Sequence, residues 1–260
     1  MTKEELLNAT DLFLLDLDGT VYLSDTHIVG VGETLHKLRT MGKQLVYLTN
    51  NSSRTRAEYE EKLTRLGLFG TGDDVYTSAL AAASFLEKRY AGAAVYALAT
   101  DAVRAELIRC GVRLTEEKPE ICLLAYDTQI TFAKMKRFNE FLAAGAVYVA
   151  THPDDVCPTD GVSMPDVGSF IALFERSSGR RPDVICGKPY SVMGECIGQK
   201  YRVPAARTCM VGDRMHTDIR FGNRSGMKTL LVLSGETTRQ SMRSFPDTPD
   251  LVLPDLTQIF

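Results

Sequence analysis

The sequence predicts an α/β fold: a parallel sheet with helices on both faces, and a second, smaller α/β unit inserted into it. Two observations carry this. Short apolar runs alternate along the chain with helical patterns of three-to-four-residue spacing. The middle of the chain repeats that alternation by itself, and 260 residues suffice for one large or two ordinary domains. In order, "LFLLD" (12–16) reads as a strand. In "VGETLHKLRTMG" (31–42), Val31, Leu35, Leu38 and Met41 share one helical face. "QLVYLT" (44–49) is a second strand, and Thr55 with Glu58 forms a capping-box pattern opening a helix that ends at Gly67. "YTSALAAASFLEKRY" (76–90) is helical, and "AAVYALA" (93–99), "EICLLAY" (120–126) and "AVYVAT" (146–151) are strands. Residues 152–169 are dense in Pro, Gly and Asp and read as a long loop, the kind that is usually functional or disordered. A helix around 170–178 and a turn at 179–182 follow. "TCMVGD" (208–213), a helix after Thr217, "TLLVL" (229–233) and "DLVL" (250–253) complete the pattern.

Composition narrows the function classes. At 44% hydrophobic and 24% charged, the chain has the make-up of an ordinary soluble globular protein. A net charge of −3 gives no basic footprint for nucleic acid. No apolar run approaches the roughly 18 residues of a membrane span, and "MTKEELLNAT" lacks the apolar stretch of a signal peptide. Neither nucleic acid nor membrane is therefore an expected partner. The six cysteines include no Cys-x-x-Cys pair and read as reduced thiols of a cytoplasmic protein, with a disulfide or zinc site as the alternative.

"FLLDLDGTVYL" (13–23) ends a buried-looking strand in two carboxylates, Asp16 and Asp18. Burying a carboxylate is costly unless it is paired or coordinated. Three further places carry polar chemistry: "TNN" (49–51), "GKP" (187–189) and "GDRMHTD" (212–218). Ligands of parallel α/β sheets bind at the carboxyl ends of strands, so these segments should converge. Asp16, Asp18, Asp213 and Asp218 would then crowd together. Two like charges about 4 Å apart repel by roughly 4 kcal/mol at an effective dielectric of 20. Lys188 alone cannot neutralise four carboxylates; a hard divalent cation with oxygen ligands can, and Mg²⁺ is the expected cofactor. Thr49 offers a hydroxyl, and the backbone around Asn50 and Asn51 offers N–H donors suited to an anion. A carboxylate nucleophile, a metal, a hydroxyl and a lysine together suggest phosphoryl transfer through an aspartyl phosphate.

"DLDGT", "TNN", "GKP" and "GDRMHTD", in that order, resemble the four motifs of the haloacid dehalogenase (HAD) superfamily. The roughly 140 residues between the second and third motifs, with the loop at 165–169, resemble its NagD-like, 4-nitrophenylphosphatase branch. The resemblance implies a Rossmann-like core of residues 1–77 and 183–260 and an α/β cap of residues 78–182. It implies Mg²⁺-dependent hydrolysis of small-molecule phosphate monoesters. Asp16 would be the nucleophile, and Asp18 the acid that protonates the leaving oxygen and the base that then activates water. Asp16, the backbone carbonyl of Asp18, and Asp213 would hold Mg²⁺, with Asp218 behind them. Thr49, Asn50 and Lys188 would bind phosphate, Lys188 also orienting Asp16, with Asn51 beside them. A homodimer through the cap is a further possibility the resemblance raises. The branch usually has Pro-Gly-x-Gly in its cap loop, whereas this chain has Pro165-Asp166-Val167-Gly168. Gly168 and Asp166 are expected near substrate, with the Asp166 carboxylate disfavouring acidic leaving groups.

Alternatives stand beside these readings. A phosphate-sensing, receiver-like binding protein would use the same aspartate and lysine without turnover, although it needs no general acid such as Asp18. A phosphotransferase would pass the phosphoryl group to an alcohol. His152 is balanced between substrate contact and solvent, and His216 is read as a packing or surface residue. "GVGETL" (30–35) imitates a dinucleotide fingerprint but lacks its third glycine.

Overall fold

A computed structural model describes residues 1–24, 26–158 and 161–260. Thr159 and Asp160 of the expected long loop lie outside the described residues. The chain forms two compact units. One comprises Met1–Thr49, Arg56–Tyr76 and Ile197–Phe260, the other Asn50–Thr55 and Thr77–Cys196. Asn50–Thr55 and residues 183–196 thus group with the inserted unit, a difference from the sequence boundaries that has a local cause. The strand Val184–Ile185 pairs with Val147–Ala150, and the Asn50 side chain bonds both backbone groups of Lys188.

The first unit is built on a six-stranded sheet in the order Leu251–Leu253, Lys228–Val232, Thr208–Gly212, Leu12–Leu15, Gln44–Thr49, Asp74–Thr77. The first five strands pair in parallel. Leu12–Leu15 is buried at all four positions, as an unbroken apolar run between two parallel neighbours requires. The helix Val31–Thr40 turns Val31, Leu35 and Leu38 onto Phe13, Leu15 and Tyr47. Met41, expected on that face, caps the helix instead and is 47% exposed. Near the N-terminus, Thr2 and Glu5 form a capping box that opens the helix Lys3–Ala9.

The second unit has a five-stranded parallel sheet, in the order Val184–Ile185, Val147–Ala150, Ile121–Leu124, Ala94–Leu98, Arg113–Leu114. Threonines at 77, 100 and 131 each accept a backbone N–H and open the helices Ser78–Arg89, Asp101–Arg109 and Phe132–Ala143. Phe138 packs on Phe174 and Tyr148, with ring centroids 4.6 and 5.5 Å apart, at the centre of its core. The Pro-, Gly- and Asp-rich run contains a short antiparallel pair, Val156–Cys157 with Met164–Pro165. The helix after it, Val167–Ser178, begins three residues earlier than its apolar pattern suggests, because Asp166 caps it. None of the six cysteines is in a disulfide, and burial pushes the Cys122 thiol up to about 12. Among the described residues no helix is long and apolar enough to cross a membrane.

One ion pair ties the sheet of the first unit to its connections. Arg39 reaches Asp73 at 2.6 Å, the Leu68 carbonyl at 2.6 Å and the Tyr47 hydroxyl at 3.3 Å. Asp73 is almost fully buried and also accepts the Gly70 N–H. Removing one member of such a pair strands the other charge in the interior. Arg39→Ala is expected to cost about 3 kcal/mol or more, read as a lower urea midpoint with an unchanged slope. A loss below about 0.5 kcal/mol, the size of an exposed pair, would show that the pair is no anchor.

Candidate active site

Asp16, Thr49 and Asp213 lie at the carboxyl ends of three neighbouring parallel strands. This is where strand geometry points side chains and backbone donors towards a ligand. Asp218 joins them from the irregular turn Met215–Ile219, a single π-helical turn of the kind often found at functional sites. One carboxylate oxygen from each of Asp16, Asp213 and Asp218 lies within 4.8 Å of the other two. The Asp18 carboxylate is not among these three, so its backbone carbonyl is the group left for the metal role the resemblance implies.

The backbone around the cluster is shaped to fit it. Gly19 has φ +83°, and a Cβ there would come within 2.6 Å of Asp213 Oδ2. A Cβ on Gly235 would meet the same oxygen at 2.1 Å, and one on Gly212 would strike Asp218 at 2.3 Å. Asp213 Oδ2 accepts the Glu236 N–H at 2.6 Å, and Asp218 Oδ2 accepts the Arg214 N–H at 3.1 Å. Asp213 Oδ1 is buried and has no hydrogen-bond partner among the described residues. A buried, unpartnered oxygen on a carboxylate that clusters with two others suits a hard cation that prefers oxygen ligands. The residues present therefore fit Mg²⁺.

Electrostatics agree. Burial, and then the charges of Asp16 and Asp218, push the Asp213 carboxyl up to about 8. Partial burial and the neighbouring Asp16 charge also raise Asp18, against the pull of Lys62. A carboxyl whose pKa is raised keeps its proton more readily and is better suited to donate it. Arg214 was not singled out by the sequence. Its guanidinium pairs with Glu236 at 3.0 Å. Burial opposes its charge, but the carboxylates of Asp16, Glu236, Asp213 and Asp218 together hold its pKa above the usual value. The signal was its place inside "GDRMHTD", where it passed for a spacer. His216 is half-buried, stacks on Phe245 with ring planes 17° apart, and lies 3.7 Å from Glu236.

The second unit holds the other residues singled out from the sequence. Asn50 Oδ1 accepts the Lys188 N–H at 2.9 Å, and Asn50 Nδ2 donates to the Lys188 carbonyl at 2.9 Å and to Asp154 at 3.1 Å. Asn51 holds the next turn through Ser53. Gly168 is tight against the chain, since a Cβ there would lie 2.4 Å from the Pro153 carbonyl. Two expectations change. His152 is neither solvent-exposed nor open to a ligand; it is fully buried. Asp166 does not present a free carboxylate, because its Oδ1 lies 3.0 Å from His152 Nε2 and accepts the Val167 N–H at 2.7 Å. Burial opposes charge on His152, but the hydrogen bond and charge of Asp166 outweigh it and raise the imidazole pKa.

Residues 13–113 match the haloacid dehalogenase-like hydrolase family, and residues 185–259 match a second HAD-hydrolase-like model. The chain belongs to the haloacid dehalogenase-like hydrolases. It is 35% identical to mouse chronophin, over 93% of this chain and 87% of that one. It is 33% identical to human glycerol-3-phosphate phosphatase, over 90% and 82% of the two chains. The 4-nitrophenylphosphatase of Thermotoga maritima superposes with a TM-score of 0.93 at 37% identity, covering 98% of this chain and 97% of that one. Within the family, the chain falls in the NagD-like, 4-nitrophenylphosphatase branch.

The raised Asp213 pKa has a measurable consequence. Without metal, burial and the Asp16 and Asp218 charges push the Asp213 carboxyl up to about 8 in the fold, whereas the unfolded chain releases that proton near the ordinary aspartate value of about 3.9. In that window the folded state binds more protons, so stability falls as pH rises from about 4 to about 8. In chelator, Asp213→Asn is expected to flatten this part of the melting-temperature curve. If the cluster holds Mg²⁺, millimolar MgCl2 should raise the melting temperature of the parent protein and not that of Asp213→Asn. Parallel curves for the two proteins would show that Asp213 does not carry the cluster's repulsion.

Proposed function

We propose that this protein is a Mg²⁺-dependent phosphatase that hydrolyses small-molecule phosphate monoesters through an aspartyl phosphate on Asp16. Phosphatase is the activity that the names of its relatives glycerol-3-phosphate phosphatase and 4-nitrophenylphosphatase carry. The observation that carries the finer reading is the three-carboxylate cluster, with one Asp213 oxygen buried and unpartnered. Asp16, Asp213, the carbonyl of Asp18 and, behind them, Asp218 would hold the ion. When bound, it would offset the charge of the carboxylates and of the phosphoryl oxygens.

The protein's own residues divide the rest. An Asp16 oxygen attacks phosphorus as the bond from phosphorus to the leaving oxygen breaks. Asp18, whose pKa is raised, gives that oxygen a proton. It then takes a proton from the water that attacks phosphorus and releases Asp16. Thr49, Asn50, Asn51 and Lys188 would bind the phosphate. The first unit would be the catalytic core. The inserted segment would be the cap that chooses the leaving group. Six cysteines outside any disulfide fit a cytoplasmic setting.

Asp18 favours turnover over receiver-like phosphate sensing, because a sensor has no leaving group to protonate. The test is release of inorganic phosphate from 4-nitrophenyl phosphate and glycerol 3-phosphate, with and without Mg²⁺. Asp16→Asn should reduce turnover at least about a thousandfold while leaving the circular dichroism spectrum unchanged. Substantial activity in that variant would reject Asp16 as the nucleophile.

Asp18→Asn should depend on the leaving group. 4-Nitrophenolate departs with little acid assistance, whereas a glycerol alkoxide needs the proton. The loss should therefore reach about 10²–10⁴-fold on glycerol 3-phosphate and be clearly smaller on 4-nitrophenyl phosphate. Equal losses on both would assign Asp18 to the metal site alone.

A further inference from the structure

The buried pair formed by His152 and Asp166 has no part in the chemistry above, yet it sits among the segments that carry Asn50 and Lys188. His152 is wholly inaccessible and Asp166 is 4% exposed. On one side of the imidazole, Nε2 lies 3.0 Å from Asp166 Oδ1. On the other side, Nδ1 lies 3.1 Å from Thr151 Oγ1 and 3.4 Å from Ser78 Oγ. Thr151 Oγ1 is 2.9 Å from Ser52 Oγ, which accepts the Tyr126 N–H at 2.8 Å. Ser78 donates to the Asn50 carbonyl.

With Nε2 protonated and Nδ1 bare, these groups form one directed chain. The Tyr126 N–H donates to Ser52, Ser52 to Thr151, Thr151 to Nδ1, and Nε2–H to Asp166. Such chains strengthen link by link. The same residue abuts the "GKP" segment. A Cβ on Gly187 would lie 3.0 Å from His152 Cβ and 2.6 Å from Asn50 Oδ1, and the Gly187 N–H donates to the Thr151 carbonyl at 2.6 Å. At the far end, the Asp166 N–H bonds the Asp155 carbonyl and the Gly168 N–H bonds the Asp154 carbonyl. Asp154 in turn accepts from Asn50. The pair therefore pins residues 151–155 between the Asn50–Lys188 contact and the start of the helix Val167–Ser178.

We propose that His152 and Asp166 are positioning residues for phosphate affinity: their hydrogen bond fixes residues 151–155 and 187–188 so that Asn50 and Lys188 are held ready for the phosphate. This rests on the reading that Asn50 and Lys188 bind phosphate. The ring itself touches no substrate, being enclosed on both faces of its hydrogen bonding. Any effect must pass through Asn50 and Lys188, and should appear in binding more than in the chemical step.

Asp166→Ser tests this in the whole protein. Serine still caps the helix Val167–Ser178 but is too short to reach His152. Asp166→Asn is the conservative partner, since its amide oxygen can accept from both Nε2–H and the Val167 N–H. Binding of inorganic phosphate is measured by isothermal titration, alongside KM and kcat for 4-nitrophenyl phosphate. The expected result is about tenfold weaker phosphate binding and a similar rise in KM for Asp166→Ser. Its kcat should change less than about threefold, and Asp166→Asn should stay near the parent protein. Lys188→Ala is the control. If Lys188→Ala weakens phosphate binding and Asp166→Ser does not, the positioning role is overturned. If neither weakens it, the assignment of phosphate to Lys188 fails, and the positioning role fails with it. Should Asp166→Ser not fold, His152→Asn carries the same comparison.

Discussion

The first unit is organised around the mutual repulsion of Asp16, Asp213 and Asp218, confined where water is scarce. Like unit charges about 4 Å apart repel by roughly 4 kcal/mol at an effective dielectric of 20. The fold carries that cost locally. It supplies backbone N–H groups from Glu236 and Arg214 to two of the oxygens. It also brings in the Arg214 guanidinium, itself braced by Glu236. The glycines at 19, 212 and 235 are a steric consequence, because no side chain fits between these carboxylates and the chain that wraps them. Ser234, bonded to the Gly19 carbonyl at 2.6 Å, closes that wrap. Among the described residues, none partners Asp213 Oδ1. In a satisfied polar core such a buried acceptor would be paired.

The second unit solves a different problem, the placement of a lysine. A lysine side chain is long and its point charge is unspecific in direction. Order must come from the backbone beneath it. The two-way amide contact of Asn50 with Lys188 provides this, and the His152–Asp166 pair extends it to the neighbouring turn. Thr49 and Asn50 are consecutive, so one peptide bond links the residues of the carboxylate unit to those of the lysine unit.

Much of this was legible because it rests on periodicity and motif order. The strands ending at Leu15, Thr49 and Gly212 are unbroken apolar runs, and an acid or hydroxyl directly after such a run, or at its end, can hardly be accidental. The helix Lys3–Ala9 was missed although Thr2 and Glu5 spell its capping box. Its two buried leucines, Leu6 and Leu7, are too few to show a helical period. The strands Arg113–Leu114 and Val184–Ile185 were missed because two residues have no pattern at all. Met41 was placed on the wrong side of a helix end, since spacing continues formally past the point where the backbone stops being helical. Arg214 was overlooked for another reason: its value lies in the charges around it, which no spacing displays.

The aspartates make the limit of sequence reading concrete. Asp73, Asp166 and Asp213 are all buried, and nothing in their immediate neighbours in sequence says why. Asp73 is matched by Arg39 from 34 positions away and by the Gly70 N–H. Asp166 is matched by His152 from 14 positions away and by the next backbone N–H. Asp213 is matched on one oxygen only. The difference between a structural acid and a ligand-binding one is thus a count of donors delivered by other parts of the chain. Asp166 shows how the error arises. An acid in a loop expected near substrate invites a specificity role, until the short pair of strands between them folds His152 onto it. From sequence, a buried carboxylate can be assigned to function only when its donors are also accounted for.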